Sequence, residues 1–333
     1  MGRQHRVRSI GAAAIAVVLI GCGSEAAGPP QRSTPSATSA ASLATSAPVA
    51  GCDVAPEAGV SNVEIDAAGR SYPSEVFRPE RSGEQRLAAV IDLHGLDSDG
   101  PTQAAMTEFH RLADREGFVV AEPSGPVGPL AVTGWEIAAT NEPDRDDVQA
   151  MEQLIQHLVD EACVDAGRVF VAGYSNGGFL AAELGCSTRV KVAGVAGFHA
   201  PRPCERHVPT LVLHGTEDPI VPLGPDGGSL IVDDTTPAAV TELLRSSIED
   251  EVASSAAGAG CERAPTPEQL TATSRTSRYT GCREGADHEL ILLDGGGHTW
   301  PGAAETADAG FLGPTATDLD ATETIWTFFA DHG

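Results

Sequence analysis

GYSNG, at residues 173–177, is the most informative stretch of the sequence. It directly follows an apolar run over residues 168–172 that predicts a strand, and a helical pattern over residues 178–184 follows it. A serine at such a sharp turn has a strained backbone, and glycines flank it because a Cβ would collide with the strand and the helix. The turn raises the serine hydroxyl to the carboxyl edge of a sheet. We therefore predict that Ser175 is a nucleophile.

Short apolar runs alternate with helical patterns along the rest of the chain, which indicates an α/β fold with a mostly parallel central sheet and helices on both faces. The predicted strands are residues 88–93, 118–121, 168–172, 190–196, 210–213 and 289–293, with an antiparallel edge hairpin at 60–66 and 71–78. The predicted helices are residues 102–115, 147–161, 178–184, 238–249 and 316–330. Residues 253–277 are rich in small and polar side chains, and we expect a surface insertion held by cysteines.

A serine hydroxyl is a weak nucleophile, so it needs an imidazole as base and a carboxylate to orient that imidazole. In this fold the chain order is serine, acid, histidine. Asp218 follows an apolar strand and is the predicted acid, with Glu217 as the alternative; both could instead be solvated loop charges. His298 is the predicted base, because it lies in a glycine-rich loop, GGGHTWPG at residues 295–302, whose flexibility lets the side chain reach the serine.

The oxyanion of a tetrahedral intermediate needs two fixed N–H donors. We expect one to be the backbone N–H of Asn176, the residue after the nucleophile. The second should come from the loop after residues 88–93, where the backbone N–H of Leu96 is the preferred candidate. The His94 side chain is expected to orient this loop rather than to take part in catalysis.

The charge and the cysteine content of the chain indicate which partners and which cross-links to expect. The formal charge of the chain is −26, which makes nucleic acid an unsuitable partner. With Cys22 set aside, six cysteines remain, and an even number in an exported chain indicates disulfides. The favoured pair is Cys261 with Cys282, which flank one polar insertion, although the sequence alone leaves the connectivity open. The cysteine and histidine spacings do not fit a structural metal site.

The N-terminus is predicted to be a lipoprotein signal peptide, residues 1–21. Three arginines precede an apolar run over residues 10–20 that is too short for a stable membrane anchor. The run ends in LIGC at residues 19–22, which resembles a bacterial lipobox and makes Cys22 the expected lipidation site. An ordinary secretory peptide or an uncleaved anchor is the alternative.

The rest of the chain then divides into a tether and a catalytic domain. Residues 22–50 contain almost no large apolar side chains and predict a flexible tether, and residues 51–333 form the catalytic domain. We expect an extracytoplasmic protein that is anchored by lipid to the bacterial cell membrane or released as a secreted protein.

Four motifs resemble the polyhydroxybutyrate depolymerase and feruloyl esterase group of α/β-hydrolases. They are LHG at residues 93–95, CVD at 163–165 before the GYSNG turn, HGTEDPIVP at 214–222 and GGGHTWPG at 295–302. The resemblance implies the α/β-hydrolase fold and carboxylic ester hydrolysis without a metal or an organic cofactor. It also places nucleophile, acid and base on Ser175, Asp218 and His298.

The resemblance further suggests that Trp300 and Trp135 line the substrate pocket, with ordinary packing under loops as the alternative. The loop at residues 95–100 departs from the family pattern, and only 5% of the residues are aromatic. We therefore expect small or oligomeric esters, of polyhydroxyalkanoate-like, feruloyl or acetyl type, rather than a crystalline polyester. Two other functions stay open: an envelope acyltransferase that uses an alcohol acceptor, and a catalytically silent binding lipoprotein.

Overall fold

The computed structural model describes residues 57–80, 85–128, 131–136, 145–187, 192–197, 206–226, 246–262, 267–304 and 309–333, with single positions 229, 232, 238, 241 and 244. The predicted signal peptide, Cys22 and the tether lie outside the described residues. Among the described helices, none has the length and apolar character needed to cross a membrane.

The described strands form one ten-stranded sheet in the order β1-β2-β4-β3-β5-β6-β7-β10-β9-β8. The bounds are β1 Gly59–Ala67, β2 Arg70–Arg78, β3 Leu87–Leu93, β4 Val119–Pro123, β5 Val164–Gly173, β6 Gly194–Gly197, β7 Thr210–Gly215, β8 Glu268–Gln269, β9 Ser274–Tyr279 and β10 His288–Leu293. Strands β4, β3, β5, β6, β7 and β10 pair in parallel, and the strands outside them pair antiparallel. This confirms the predicted parallel centre and the hairpin at one edge.

Helices cover both faces of the sheet. Their bounds are α1 Gly100–Thr107, α2 Phe109–Glu116, α3 Asp147–Asp160, α4 Asn176–Cys186, α5 Ile248–Gly258, α6 Ala309–Leu312 and α7 Ala321–His332. On one face, α3 and α4 bury Leu154 and Leu180 against β3 and β5. On the other, α2 and α7 bury Phe109 and Phe329 against the opposite sides of the same strands. Such two-sided burial explains why the central strands are apolar at nearly every position.

The predictions from the sequence were wrong about two features. The predicted helix over residues 102–115 is two helices, because Glu108 has a left-handed backbone with φ of 53°. The supposed insertion at residues 253–277 instead contains the end of α5 and strands β8 and β9. The part of α5 in this stretch buries Ser255 and Ala256, whose side chains are too small to give a helical apolar pattern. The predicted helix at residues 238–249 and the start of the strand at 190–196 lie largely outside the described residues.

Disulfides hold two parts of the structure. Cys261 and Cys282, the pair favoured from the sequence, are joined to each other. This bond connects the end of α5 to the turn between β9 and β10. Cys163 and Cys186 each take part in a disulfide as well.

Candidate active site

The carboxyl ends of the parallel strands carry the candidate site, and its centre is the turn between β5 and α4. Ser175 has φ of 52° and ψ of −117°, an unusual conformation for a residue with a side chain. A Cβ on Gly173 would lie 2.3 Å from the carbonyl oxygen of Gly177, and a Cβ on Gly177 would lie 2.3 Å from that of Leu93. Both glycines are therefore sterically required, and they let the serine stand at the first turn of α4.

His298 connects Ser175 to Asp218. Its Nε2 atom lies 2.8 Å from the Oγ atom of Ser175, and its Nδ1 atom lies 2.7 Å from the Oδ2 atom of Asp218. An ionised carboxylate only accepts hydrogen bonds, so Nδ1 carries the proton of the neutral ring and Nε2 accepts from the serine hydroxyl. The structure thus brings together three residues that are separated by 123 and 80 positions along the chain.

The environment of Asp218 favours its ionised form. Burial alone would raise the pKa of this carboxyl, but hydrogen bonds and the nearby imidazoles of His298 and His214 outweigh it and lower the pKa below its ordinary value. Its Oδ1 atom also accepts from the backbone N–H groups of Ile220 and Val221, each at 2.8 Å. Glu217, the alternative acid, is exposed, and its described contact is a backbone hydrogen bond.

Contacts that the sequence did not reveal hold the loop of His298 in place. The backbone N–H of His298 donates to the carbonyl of Leu312 in α6 at 2.6 Å. The hydroxyl of Tyr174 donates to the carbonyl of His298, also at 2.6 Å. Tyr174 occupies the variable position before the serine in the GYSNG turn, so no motif marks it. Its contact ties the loop of His298 directly to the turn that carries Ser175.

The two expected oxyanion donors lie on neighbouring segments. In the described part of the chain, the N–H groups of Leu96 and Asn176 have no acceptor within the protein. A Cβ on Gly134 would lie 2.8 Å from both the Cδ1 atom of Leu96 and the Oδ1 atom of Asn176, so these two residues flank one glycine. The unpaired N–H groups leave two donors for a ligand oxygen.

His94 is buried beneath the loop that carries Leu96. Its Nδ1 atom donates to the carbonyl of Gly95 at 2.6 Å, and its Nε2 atom accepts from the backbone N–H of Gly125 at 2.8 Å. Burial lowers the pKa of this imidazole, which favours the neutral ring that these two contacts require. His94 therefore orients the loop, and it makes no described contact with Ser175.

Both tryptophans are buried, and their role in lining the substrate pocket stays a prediction. Each is only 3% exposed. The indole N–H of Trp300 donates to the hydroxyl of Thr322 at 3.0 Å, and its ring packs edge-on against Phe109. The indole N–H of Trp135 donates to the carbonyl of His94 at 2.8 Å. Trp300 supports the histidine loop from below, and Trp135 supports the loop after β3.

Comparisons with known proteins find esterases among the similar sequences. The phospholipase/carboxylesterase family model matches residues 75–226, a range that includes Ser175 and Asp218. The putative esterase NocK of Nocardia uniformis subsp. tsuyamanensis is 29% identical over 95% of this chain and 96% of its own. The bifunctional acetylxylan esterase/xylanase XynS20E of Neocallimastix patriciarum is 32% identical over 40% of this chain, but the match spans only 19% of its length.

A solved structure supports the fold. The acetyl xylan esterase from Aspergillus awamori superimposes with a TM-score of 0.53 at 16% identity, over 76% of this chain and 99% of its own. The sheet, the strained serine turn and this similarity identify the α/β-hydrolase fold. The sequence relatives that share similarity with this chain are named as esterases.

Proposed function

We propose that the protein hydrolyses carboxylic esters through an acyl-enzyme, with Ser175 as nucleophile, His298 as general base and Asp218 as the residue that orients the base. One observation carries the proposal: the hydrogen-bonded chain from the Ser175 hydroxyl through His298 to a buried, ionised Asp218. Each contact falls within the 2.6–3.2 Å range expected between a nucleophile and its base.

The reaction has two similar steps. His298 accepts the proton of Ser175 as Oγ attacks the ester carbonyl carbon, and the resulting oxyanion accepts hydrogen bonds from the N–H groups of Leu96 and Asn176. The protonated imidazole then gives its proton to the leaving alcohol, and the acyl group stays on Ser175. In the second step His298 deprotonates water, which attacks the acyl carbon. The imidazolium then returns the proton to the Oγ atom of Ser175 as its bond to the acyl group breaks and the acid leaves. The ionised Asp218 stabilises the imidazolium in both steps.

Exposed apolar side chains on the loops after β3 and β4 favour esters with an apolar part. Leu96, on the loop after β3, is 47% exposed, and Val127, on the loop after β4, is 56% exposed. Val127 pairs with Thr133, whose carbonyl accepts from the backbone N–H of Asp97 at 2.8 Å, so the two loops are joined. The substrates that we propose are small or oligomeric esters of feruloyl, acetyl or polyhydroxyalkanoate type. The names of the relatives, which include acetylxylan and feruloyl esterases, support the acetyl and feruloyl types among these.

Replacement of the nucleophile tests the proposal. Ser175→Ala should lower kcat/KM for a short-chain p-nitrophenyl ester by on the order of 10⁴-fold or more, with the circular dichroism spectrum unchanged. Ser255→Ala is the matched control, because Ser255 is a buried serine that also contacts a histidine, at 2.8 Å. It should leave kcat/KM within about twofold, since it does not contact the site. Substantial activity in Ser175→Ala would refute the proposed nucleophile.

We also propose that residues 1–21 are removed and that Cys22 carries the lipid that anchors the protein outside the cytoplasm. The apolar run before the cysteine and the LIGC motif support this. The protein should incorporate labelled palmitate and sediment with membranes when it is expressed in a bacterial host. Cys22→Ser should lose the label and leave the membrane fraction. Retained label in that variant would exclude Cys22 as the lipidation site.

A further inference from the structure

A short segment, residues 133–136, joins the two loops that carry the proposed oxyanion donors; we call it the strut. Three hydrogen bonds connect it to the loop after β3. The carbonyl of Thr133 accepts from the backbone N–H of Asp97 at 2.8 Å, and the Thr133 hydroxyl donates to the carbonyl of Ser98 at 2.6 Å. The third is the indole N–H of Trp135 to the carbonyl of His94, at 2.8 Å. The position of Leu96 therefore depends on the strut.

The strut is also hydrogen-bonded to the serine turn through the side chain of Asn176. The Oδ1 atom of Asn176 accepts from the backbone N–H of Trp135 at 2.6 Å, and its Nδ2 atom donates to the carbonyl of Trp135 at 3.1 Å. This reciprocal pair fixes the first residue of α4. Gly134 leaves no room for a side chain between Asn176 and Leu96, so the two loops approach each other closely across the strut.

A buried ion pair holds the opposite side of the strut. The guanidinium of Arg145 and the carboxylate of Asp147 meet at 2.7 Å, with side-chain exposures of 2% and 1%. Arg145 donates to the carbonyl of Gly134, and Asp147 accepts from the backbone N–H of Glu136 at 2.6 Å. The hydroxyl of Tyr72 in β2 donates to Asp147 at 2.5 Å, which connects the pair to the sheet.

We propose that Arg145 and Asp147 are positioning residues that set the separation between the N–H groups of Leu96 and Asn176. The proposal rests on the proposed ester hydrolysis. A donor must lie about 2.7–3.1 Å from the oxyanion, so a small shift of one loop removes much of the transition-state stabilisation. Two charges buried together hold their hydrogen-bond partners firmly, because any displacement leaves a charge without compensation. The strut contacts both donor loops, and the ion pair fixes the strut.

Loss of the pair should reduce transition-state stabilisation without changing the base. For Asp147→Asn we expect kcat to fall by about 10- to 100-fold, with KM changed by less than about threefold. Affinity for a trifluoromethyl ketone, which forms an oxyanion on the serine, should fall by the same factor as kcat/KM. The inflection of the pH profile of kcat/KM should not move, because the contacts of His298 with Ser175 and Asp218 are retained. If Asp147 were purely structural, its replacement would lower the thermal stability and leave kcat and the affinity for the ketone unchanged.

Two further variants make the test decisive. Asp92→Asn is the matched control: Asp92 is an equally buried carboxyl that accepts from Gln103 and Thr107, at 2.8 and 2.7 Å, and does not contact the strut. Its kcat should stay within about twofold of the wild-type value. If Asp147→Asn does not fold, Asn176→Ala provides the test. This variant removes the two side-chain hydrogen bonds to the backbone of Trp135 and keeps the backbone N–H of residue 176. It should show the same loss of kcat and of ketone affinity.

The outcomes separate the two proposals. If the wild-type protein does not hydrolyse esters, or Ser175→Ala still does, the proposed function fails. If wild-type activity depends on Ser175, but the folded Asp147→Asn protein, or Asn176→Ala in its place, keeps kcat and ketone affinity within about twofold, only the positioning role is overturned. A change in KM alone would overturn it as well.

Discussion

The structure contains two serine–histidine pairs with the same separation between the atoms in contact. In the site at the carboxyl edge of the sheet, Ser175 and His298 are 2.8 Å apart, and in the layer between α5 and β10, Ser255 and His288 are also 2.8 Å apart. The second pair is fully buried and lies inside a helix and a strand. Hydrogen-bond distance therefore does not distinguish a candidate catalytic serine from a core serine.

The two pairs differ in the group that the Nδ1 atom of each histidine contacts. The Nδ1 atom of His298 faces an ionised carboxylate, whereas that of His288 faces the carbonyl of Ala286 at 2.9 Å. A neutral carbonyl stabilises an imidazolium far less than a carboxylate does. Burial lowers the pKa of His288 to about 4, so that ring resists the proton that a general base must accept. Of the two pairs, only the first combines a histidine that is hydrogen-bonded to a carboxylate with a serine at a partly exposed turn.

The largest expected effect comes from removal of the carboxylate that distinguishes the two pairs. Asp218→Asn should lower kcat/KM by on the order of 10⁴-fold, because an amide stabilises the wrong tautomer of His298 and does not stabilise the imidazolium. The check is steady-state kinetics with a p-nitrophenyl ester, together with circular dichroism to establish folding. An Asp218→Asn protein with activity near that of the wild type would show that the two pairs do not differ for this reason.

The second effect concerns pH and the core pair. The pKa of His288 is lower in the folded protein than in the unfolded chain, so the unfolded state binds more protons as the pH falls from about 6.5 to about 4. The stability that neutral His288 contributes is present above pH 6.5 and is lost on acidification. His288→Gln cannot take up this proton, and its loss of stability over that range should be smaller by on the order of 1 kcal/mol or more, about 2–4 °C in Tm.

Thermal melting of both proteins at pH 7, 6 and 5 measures this effect. Parallel curves for the wild type and His288→Gln would mean that His288 does not sense the pH change. Activity at pH 7 should be unaffected, because the core pair does not contact the site.

The smallest effect is expected at Tyr174, which supports the catalytic pair from outside it. Tyr174→Phe removes the hydrogen bond to the carbonyl of His298 and keeps the ring, whose centroid lies 5.2 Å from that of the imidazole. A hydrogen bond of this kind contributes about 1 kcal/mol, so kcat/KM should fall by about fivefold. Unchanged kcat/KM would mean that the contacts of the loop with Leu312 and Asp218 are sufficient to hold the base.

Much of the fold could be predicted because its central strands are buried on both faces. The runs at β3, β7 and β10 are largely apolar, so each was recognised within about two residues of its ends, whereas the first four residues of β5 were missed. The break at Glu108 was not predictable, since a left-handed glutamate between two helices leaves no compositional mark. Strand β9 was missed because its sequence, SRTSRY, is polar, as an antiparallel strand near a sheet edge can be.

The candidate site residues that lie in short sequence motifs could be predicted. The residues whose role depends on contacts with distant parts of the chain could not. The serine turn requires glycines for steric reasons, and these glycines are visible in the sequence. The loop of His298 is marked by a second cluster of glycines. The ion pair of Arg145 and Asp147 leaves no such mark, because charged residues before a helix usually suggest a solvated surface. The proposed role of this pair depends on the hydrogen bond from Tyr72, which is 75 residues from Asp147, and on the contacts of the pair with the strut.

Covalent labelling of the serine tests the central claim most directly. The protein should be treated with a fluorophosphonate, digested, and analysed by mass spectrometry. We expect one adduct on the peptide that contains Ser175, none in Ser175→Ala, and much slower labelling in Asp218→Asn. An adduct at another serine, or no adduct in a preparation that hydrolyses esters, would contradict the assignment of Ser175, His298 and Asp218 as the catalytic residues.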